Sequence, residues 1–368
     1  MQPTRHLYIH VPFCRHKCGY CDFNVYTGQD RLVPEFVDAV AKELQWAGAQ
    51  LPFASLRTVY IGGGTPSVLP ASQAARLLQA VRGTFTLAPG CEVTLEANPA
   101  STDPEKLAAW REGGVNRLSL GVQGFDPRAL AVLERKEDGA QAERALRQAR
   151  AAGFDNVSLD LIYAVPGQSD ESWVATVERA VALEPEHLSC YGLQFEEGTL
   201  LYRRLREGRL RQVAPDRQWE LQQLADGVLH RNGFRRYEVS SWARPGRRSR
   251  HNSAYWACHP YYGAGPGAHS YGRSGRHARR WWNVRRPHDY IARAPLVEDG
   301  HEHLDSSLVQ AERLLLGLRT VRGVPRSDGF DPQLQRLAAA GLVRLSPGWV
   351  APTERGLDLH NQIALEVL

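Results

Sequence analysis

Three cysteines stand at a C-x3-C-x2-C spacing near the start of the chain: Cys14, Cys18 and Cys21. Thiolates held on one short loop can fill three corners of a [4Fe–4S] cubane, because iron–sulfur clusters take Cys ligands. The fourth iron would then lack a protein ligand, and an open metal position is where chemistry happens. A zinc site is a competing use of the same residues. Zinc takes four N or S ligands, commonly from two paired motifs. No second Cys pair follows at that spacing, although His10 or His16 could complete a lone site. Unpaired thiols in a reducing cytosol are the plainest alternative. Against it, three of the six cysteines of the chain fall within eight residues.

These residues need elements to position them. Leu7 to Phe13 reads as a strand ending at Pro12, so the cysteines lie on a loop just past it. From residue 7 to about 200, strand patterns at 7–12, 58–62, 92–97, 117–122, 156–163 and 187–195 alternate with helix patterns. The helices are expected at 31–49, 72–83, 103–113, 139–152 and 169–183. This order predicts an α/β fold with a parallel sheet wrapped by helices. Asp103 and Ser169 read as N-caps, and Gly153 and the pair Gly113 and Gly114 as helix stops. Six βα units make an incomplete (β/α)6 barrel, whose site is built at the C-terminal ends of the strands. Polar residues fall at those ends. Gly62 to Gly64 let backbone approach a ligand closely. Glu96 could accept hydrogen bonds from ribose hydroxyls, and Gln123 offers a donor and an acceptor. Arg135 and Asp160 could complete a polar ring. Taken singly, each has a plain structural explanation, such as a tight turn or a surface carboxylate.

With 368 residues, 43% hydrophobic and 23% charged, the chain suits one large unit and a smaller one. It has no apolar run long enough to span a membrane, and the residues before Tyr8 are too few and too polar for a signal peptide. A cytoplasmic location is expected. The net charge is +5, and only Lys17, Lys42, Lys106 and Lys136 among 45 basic residues are lysine. Arginines crowd between Arg235 and Arg286, either as a solvated basic surface or as an anion-binding rim. Residues 1–232 form the expected barrel with a helical extension, in which Trp219, Leu221 and Leu224 read as core. Residues 233–300, rich in Gly, Pro, Arg and aromatics, read as an irregular region packed across its mouth or edge. Residues 301–368 read as helices followed by a hairpin, a winged-helix-like unit. Its recognition segment, 332–340, is not basic, which argues against nucleic acid. Cys91, Cys190 and Cys258 are scattered and read as buried apolar residues.

Several motifs together carry a resemblance. Tyr8 precedes Cys14 by six residues, and Tyr20 stands just before Cys21. Gly-Gly-Gly-Thr-Pro at 62–66, Glu96, Gly-Val-Gln at 121–123, Arg135 and Leu-Asp-Leu-Ile-Tyr at 159–163 follow. The set resembles the radical S-adenosylmethionine (SAM) superfamily and, within it, the oxygen-independent coproporphyrinogen III oxidase family, over nearly the whole chain. The resemblance implies that Cys14, Cys18 and Cys21 ligate a [4Fe–4S] cluster whose open iron is chelated by SAM. It implies that Tyr8, Tyr20, Gly63, Gly64, Thr65, Glu96, Gln123, Arg135 and Asp160 line SAM pockets. Gln123, Arg135 and Asp160 would belong to a second SAM where two are held. Two departures matter: Phe23 stands where the oxidases carry a further cysteine, and only seven residues precede Tyr8. Both place the chain with a haem-binding branch of the family described as haem chaperones, and against oxidative decarboxylation of coproporphyrinogen III. The stretch His251-Asn252-Ser253-Ala254-Tyr255-Trp256 matches the His-Asn-x-x-Tyr-Trp motif of that branch. Imidazole ligates haem iron, so His251 is the expected axial ligand, with His259 and His269 as rivals. Tyr255 and Trp256 would offer flat faces beside Asn252, and nearby arginines would pair with propionates. The implied partners are haem, haem-accepting apo-proteins and a reductant protein.

Overall fold

The computed structural model describes residues 1–136 and 138–367; Leu368, the expected end of the last unit, lies outside them. Six strands carry the first part of the chain: β1 Thr4–Val11, β2 Phe53–Gly63, β3 Leu87–Ala97, β4 Arg117–Gln123, β5 Val157–Tyr163 and β6 His187–Gly192. They are parallel and neighbour one another in chain order. The helices between them are α1 Val33–Gln50, α2 Ala71–Thr84, α3 Pro104–Glu112, α4 Gly139–Ala151 and α5 Asp170–Ala182. Asp103 accepts from the Lys106 N–H and Ser169 from that of Ser172, so both caps form. Gly114 and Gly153 take left-handed φ of 93° and 85° after α3 and α4. β2 and β3 begin five residues before their expected starts. Their first residues carry no apolar run, and the pairing there is irregular.

Strand side chains alternate between faces, and the alternation divides this sheet sharply. Leu7, Ile9, Val59, Ile61, Val93, Leu95, Leu118, Leu120, Leu159 and Leu161 point one way and are buried with the apolar sides of the helices. Each such side chain contributes about 1.5–3 kcal/mol by leaving water. The residues between them are polar. The strand register sets them in rows: His6 lies beside Thr58 and Tyr8 beside Tyr60 on β1 and β2. Thr58 lies beside Glu92 and Tyr60 beside Thr94. Glu96 adjoins Ser119, Ser119 adjoins Ser158, and Asp160 adjoins Ser189. Parallel strands covered on both faces are usually apolar throughout. A polar face on six of them marks the side that serves a ligand.

The later segments complete this sheet. After α6 Pro215–Arg231, β7 Arg235–Glu238 and β8 Ser241–Ala243 extend it antiparallel beyond β6. Following α7 Arg250–Trp256, β9 Tyr262–Ala264 pairs parallel with β1 at the opposite edge. The order is β9-β1-β2-β3-β4-β5-β6-β8-β7. Residues 233–300, expected as an irregular region across the mouth or edge, thus supply regular strands at both edges of the sheet. Phe234, Trp242, Tyr262 and Trp281 belong to the main core. β7, β8 and β9, of three or four residues, are too short to show a period of two, which is why the sequence does not reveal them. β10 His269–Ser274, β11 His277–Asn283 and β12 Glu298–Leu304 then form a separate antiparallel sheet. Trp219 is a second correction: it is 46% exposed, whereas Leu221 is in the core and Leu224 packs against it partly buried. Its indole donates to Asp358 at 3.1 Å.

The last segment gathers α8 Ser306–Gly317, β13 Val324–Pro325, α9 Asp331–Ala339, the hairpin β14 Val343–Ser346 and β15 Trp349–Pro352, and α10 His360–Val367. Its three strands form their own sheet, and its helices close over a core of their own around Leu314, Leu334, Val350 and Ile363. Four arginines of the arginine-rich stretch form ion pairs: Arg236 with Asp358, Arg247 with Asp155, Arg279 with Glu298, and Arg280 with Glu302 and Glu312.

Candidate functional site

The polar face opens into a cavity of 780 Å³ lined by Cys14, Cys18 and Cys21 together with Tyr20, Gly63, Gly64, Thr65, Glu96, Gln123, Arg135 and Asp160. Most of these residues stand at or just past the C-terminal ends of the strands. The geometry follows from the local sequence. Gly63 holds φ at 107°, where a side chain would strike the His10 ring. A Cβ on Gly64 would meet the carbonyl oxygens of Val11 and Phe13 at 2.8 and 2.7 Å. The glycine turn is thus packed directly on the strand that delivers the cysteines. Thr65, next in line, sits 3.2 Å from the Cys14 sulfur. Arg135 Nη1 approaches the Cys18 sulfur at 3.6 Å while Nη2 donates to the Gly121 carbonyl at 2.6 Å. Gln123 turns out of β4 with φ of 67°, a left-handed conformation that few non-glycine residues adopt.

Burial sets the electrostatics. It pushes the Cys14 thiol up to about 11 and raises that of Cys21. Glu96 is raised to about 7, chiefly by burial, against hydrogen bonds from the Tyr60 hydroxyl at 2.7 Å and the Gly63 N–H at 3.1 Å. Asp160 is raised by burial too, although Ser119 donates to it at 2.9 Å. Each carboxyl keeps a lone pair for a ligand.

A second cavity, of 650 Å³, adjoins the first through Phe23, Gly63 and Glu96. Tyr8, His10, Tyr255, His269, Trp282 and Arg285 complete much of its wall. His10 Nε2 lies 2.9 Å from the Asn24 carbonyl, so it carries the proton. Its Nδ1 then accepts from the Tyr8 hydroxyl at 3.0 Å. The site residues expected for SAM therefore divide, with Tyr8 on the second cavity, Glu96 and Gly63 between the two, and the rest on the first.

The donor set fits a cluster. Three thiols line one cavity beside a guanidinium, which offsets the charge that thiolates bring. Among the described residues no three His, Cys, Asp or Glu side chains converge on one point as a single metal ion needs. His10 and His16 each hydrogen-bond a backbone carbonyl, and cluster ligands bind different irons.

The motif at 251–256 lies elsewhere than expected. His251 is wholly buried. Its Nδ1 is 2.7 Å from the Thr58 hydroxyl and its Nε2 is 2.9 Å from that of Tyr255. The expected axial ligand is thus enclosed, with both ring nitrogens occupied. Burial also holds its pKa well below the usual imidazole range. Asn252 reaches the first cavity and Tyr255 the second. Trp256 lies under the Arg319 guanidinium, 4.5 Å from its ring centre. Of the rival ligands, His269 borders the second cavity against Trp282, and exposed His259 stacks on His6.

Sequence reasoning passed over Arg117, Ser119 and Tyr60. Arg117 is almost wholly buried at the foot of the first cavity, where its charge opposes the rise in the Asp160 and Glu96 pKa values. The signal was present: Arg117, Ser119, Gly121 and Gln123 recur every second residue along β4.

The radical SAM superfamily profile matches residues 8–180. The structure of coproporphyrinogen III oxidase (HemN) from Escherichia coli, described as a radical SAM enzyme, shares the fold with a TM-score of 0.84. That match covers 99% of this chain and 90% of the other at 23% identity. With the cysteine loop and polar strand ends in place, the class is a radical SAM protein. Along its length the chain is also similar to heme chaperone HemW of Mycobacterium tuberculosis, 44% identical over 98% of this chain and 94% of the relative. HemW of Bacillus subtilis is 34% identical and covers 97% of both. The chain belongs to the HemW family.

Proposed function

We propose that this protein is a haem chaperone, binding haem and passing it to acceptor apo-proteins, with a [4Fe–4S] cluster and SAM as its resident cofactors. The observation that carries this reading is the likeness to HemW chaperones along the whole chain. The first cavity supports its cofactor part. Cys14, Cys18 and Cys21 would hold the cluster. Tyr8, Tyr20, Gly63, Gly64, Thr65, Glu96, Gln123, Arg135 and Asp160 would hold SAM. When bound, the cluster would supply an open iron for SAM to chelate and a path for an electron from a reductant protein. Arg135 offsets charge at Cys18, while Glu96 and Asp160 present carboxyl oxygens to ligand hydroxyls. The nine-stranded sheet is read as an incomplete (β/α)6 barrel, residues 1–232, joined by 233–300. The unit at 301–368 is read as winged-helix-like and as a packing or partner domain rather than a nucleic-acid reader. No helix among the described residues is long and apolar enough to cross a membrane, and free thiols with an oxygen-sensitive cluster suit the cytoplasm.

The test combines three measurements on anaerobically reconstituted protein. It should hold about one [4Fe–4S] cluster per chain, and Cys18→Ala should lose it while Cys190→Ala keeps it. Haem should bind with a Soret shift and move to an apo-haem protein. Coproporphyrinogen III with reductant and SAM should give no protoporphyrinogen. Full iron in Cys18→Ala would overturn the cluster assignment, and turnover of coproporphyrinogen III would favour the oxidase instead.

A further inference from the structure

The motif helix α7 lies against the polar face of β2 and β3, at the strand ends remote from the cysteines. The Glu92 carboxylate accepts the N–H groups of Arg250 and His251, at 3.0 and 2.9 Å. The His251 ring packs on Tyr60 at 5.1 Å. From there a file of hydrogen bonds runs upward. His6 Nδ1 is 2.9 Å from Thr58 Oγ1, which is 2.7 Å from His251 Nδ1. His251 Nε2 is 2.9 Å from the Tyr255 hydroxyl, and Tyr255 walls the second cavity alongside Tyr8, Gly63 and Glu96. Edge-on contact of Tyr255 with Tyr261 at 4.6 Å fixes its ring plane.

The geometry points to a role for this motif in SAM binding rather than in haem ligation: the Tyr255 hydroxyl contacts bound SAM, and His251 is the positioning residue that fixes the direction of that hydroxyl. The inference rests on the proposed SAM site and deepens it. A neutral imidazole has one donor and one acceptor nitrogen. With Thr58 donating to Nδ1, the Nε2–H donates to the Tyr255 oxygen and leaves the phenolic proton free for an acceptor in the cavity. With the opposite tautomer Tyr255 donates to His251 and presents only lone pairs. Either way His251 commits one side of the hydroxyl, so the other side is aimed at the ligand. The ring has no remaining nitrogen for iron. Glu96 and Tyr255 lie on one cavity wall, so an adenosyl group hydrogen-bonded to Glu96 stands within the same space.

The experiment titrates SAM calorimetrically into the cluster-loaded chain and, separately, haem by its Soret band. Tyr255→Phe removes one hydroxyl from an unchanged ring and should weaken SAM roughly five- to tenfold, the loss of one hydrogen bond. His251→Ala should weaken SAM to a similar degree. The double variant should be no weaker than the weaker single, because both changes remove one interaction. His251→Gln, whose amide stands near the position of Nε2, should recover part of the loss. Iron content and haem affinity should not move in any of them. Unchanged SAM affinity in Tyr255→Phe, or additive losses in the double variant, would overturn the inference alone. So would loss of haem with SAM binding intact in the His251 variants. A wild-type protein that takes up no SAM would overturn the SAM site as well. Should His251→Ala fail to fold, Tyr255→Phe carries the decision.

Discussion

Glu96 is the residue on which the proposed SAM site can be tested by titration. Burial raises its carboxyl to about 7, with Asp160 adding repulsion, while Tyr60 and the Gly63 N–H donate to it. A carboxylate accepts hydroxyl hydrogen bonds more strongly than a neutral acid does. SAM affinity should therefore rise as pH climbs through about 7, where Glu96 loses its proton, and flatten above. Glu96→Gln should bind more weakly at pH 8 and lose that dependence, in calorimetric titrations at pH 6 and pH 8. A wild-type affinity that falls with pH would return Glu96 to a structural role. Residue types were the most legible part of this sequence. The spaced cysteines and the strand-end Glu96 stood out in the sequence, and all of them line the first cavity. His251 was not legible in the same way. A local motif names an imidazole but not its depth, and depth is decided by Thr58 and Glu92, more than 150 residues earlier.

At the scale of elements, long segments with strong periods were legible and short ones were not. All six parallel strands and the helices between them stand near their expected places, since each offers enough residues to show its period. α7 has seven residues and was hidden among glycines and arginines. Its N-terminal end is held by side-chain acceptors. Its Ser249 cap accepts from the Asn252 N–H, and Glu92 accepts two more amides at the same end. Those amides would otherwise be orphaned beneath the sheet. Glu92→Ala should lower global stability by about 2 kcal/mol, the scale of charge-assisted hydrogen bonds to a buried group. Glu92→Gln should cost about half as much by that reasoning, because one acceptor oxygen remains. Chemical denaturation of the cluster-free protein measures both. Identical midpoints for wild type and Glu92→Ala would mean that apolar packing alone seats α7.

For the whole molecule, the question is how the C-terminal unit is fastened to the sheet. Helices followed by a hairpin were legible in the sequence, because turns and apolar runs are local, whereas the two-residue strand Val324–Pro325 was not. Nor was the unit's attachment, because the partners are distant in the chain. Asp358 is the fastening. Its carboxylate takes the Trp219 indole N–H at 3.1 Å, the Gln223 amide at 3.0 Å and Arg236 at 2.5 Å. The Arg236 and Asp358 side chains are only 11% and 10% exposed. Glu238 and Arg319 add an ion pair at 3.0 Å on the same junction. Removing one partner of a buried pair leaves an uncompensated charge and costs about 3–5 kcal/mol. That cost falls on the junction rather than on either core. Asp358→Ala should therefore split thermal unfolding into two calorimetric transitions, with the C-terminal unit melting first. Arg236→Met should be milder, because the Asp358 carboxylate it leaves still accepts from Trp219 and Gln223. Iron content and SAM affinity should be unchanged in both, since the cysteines and Glu96 lie at the other end of the strands. A single transition in Asp358→Ala at the wild-type temperature would show that apolar contacts, not this carboxylate, join the two units.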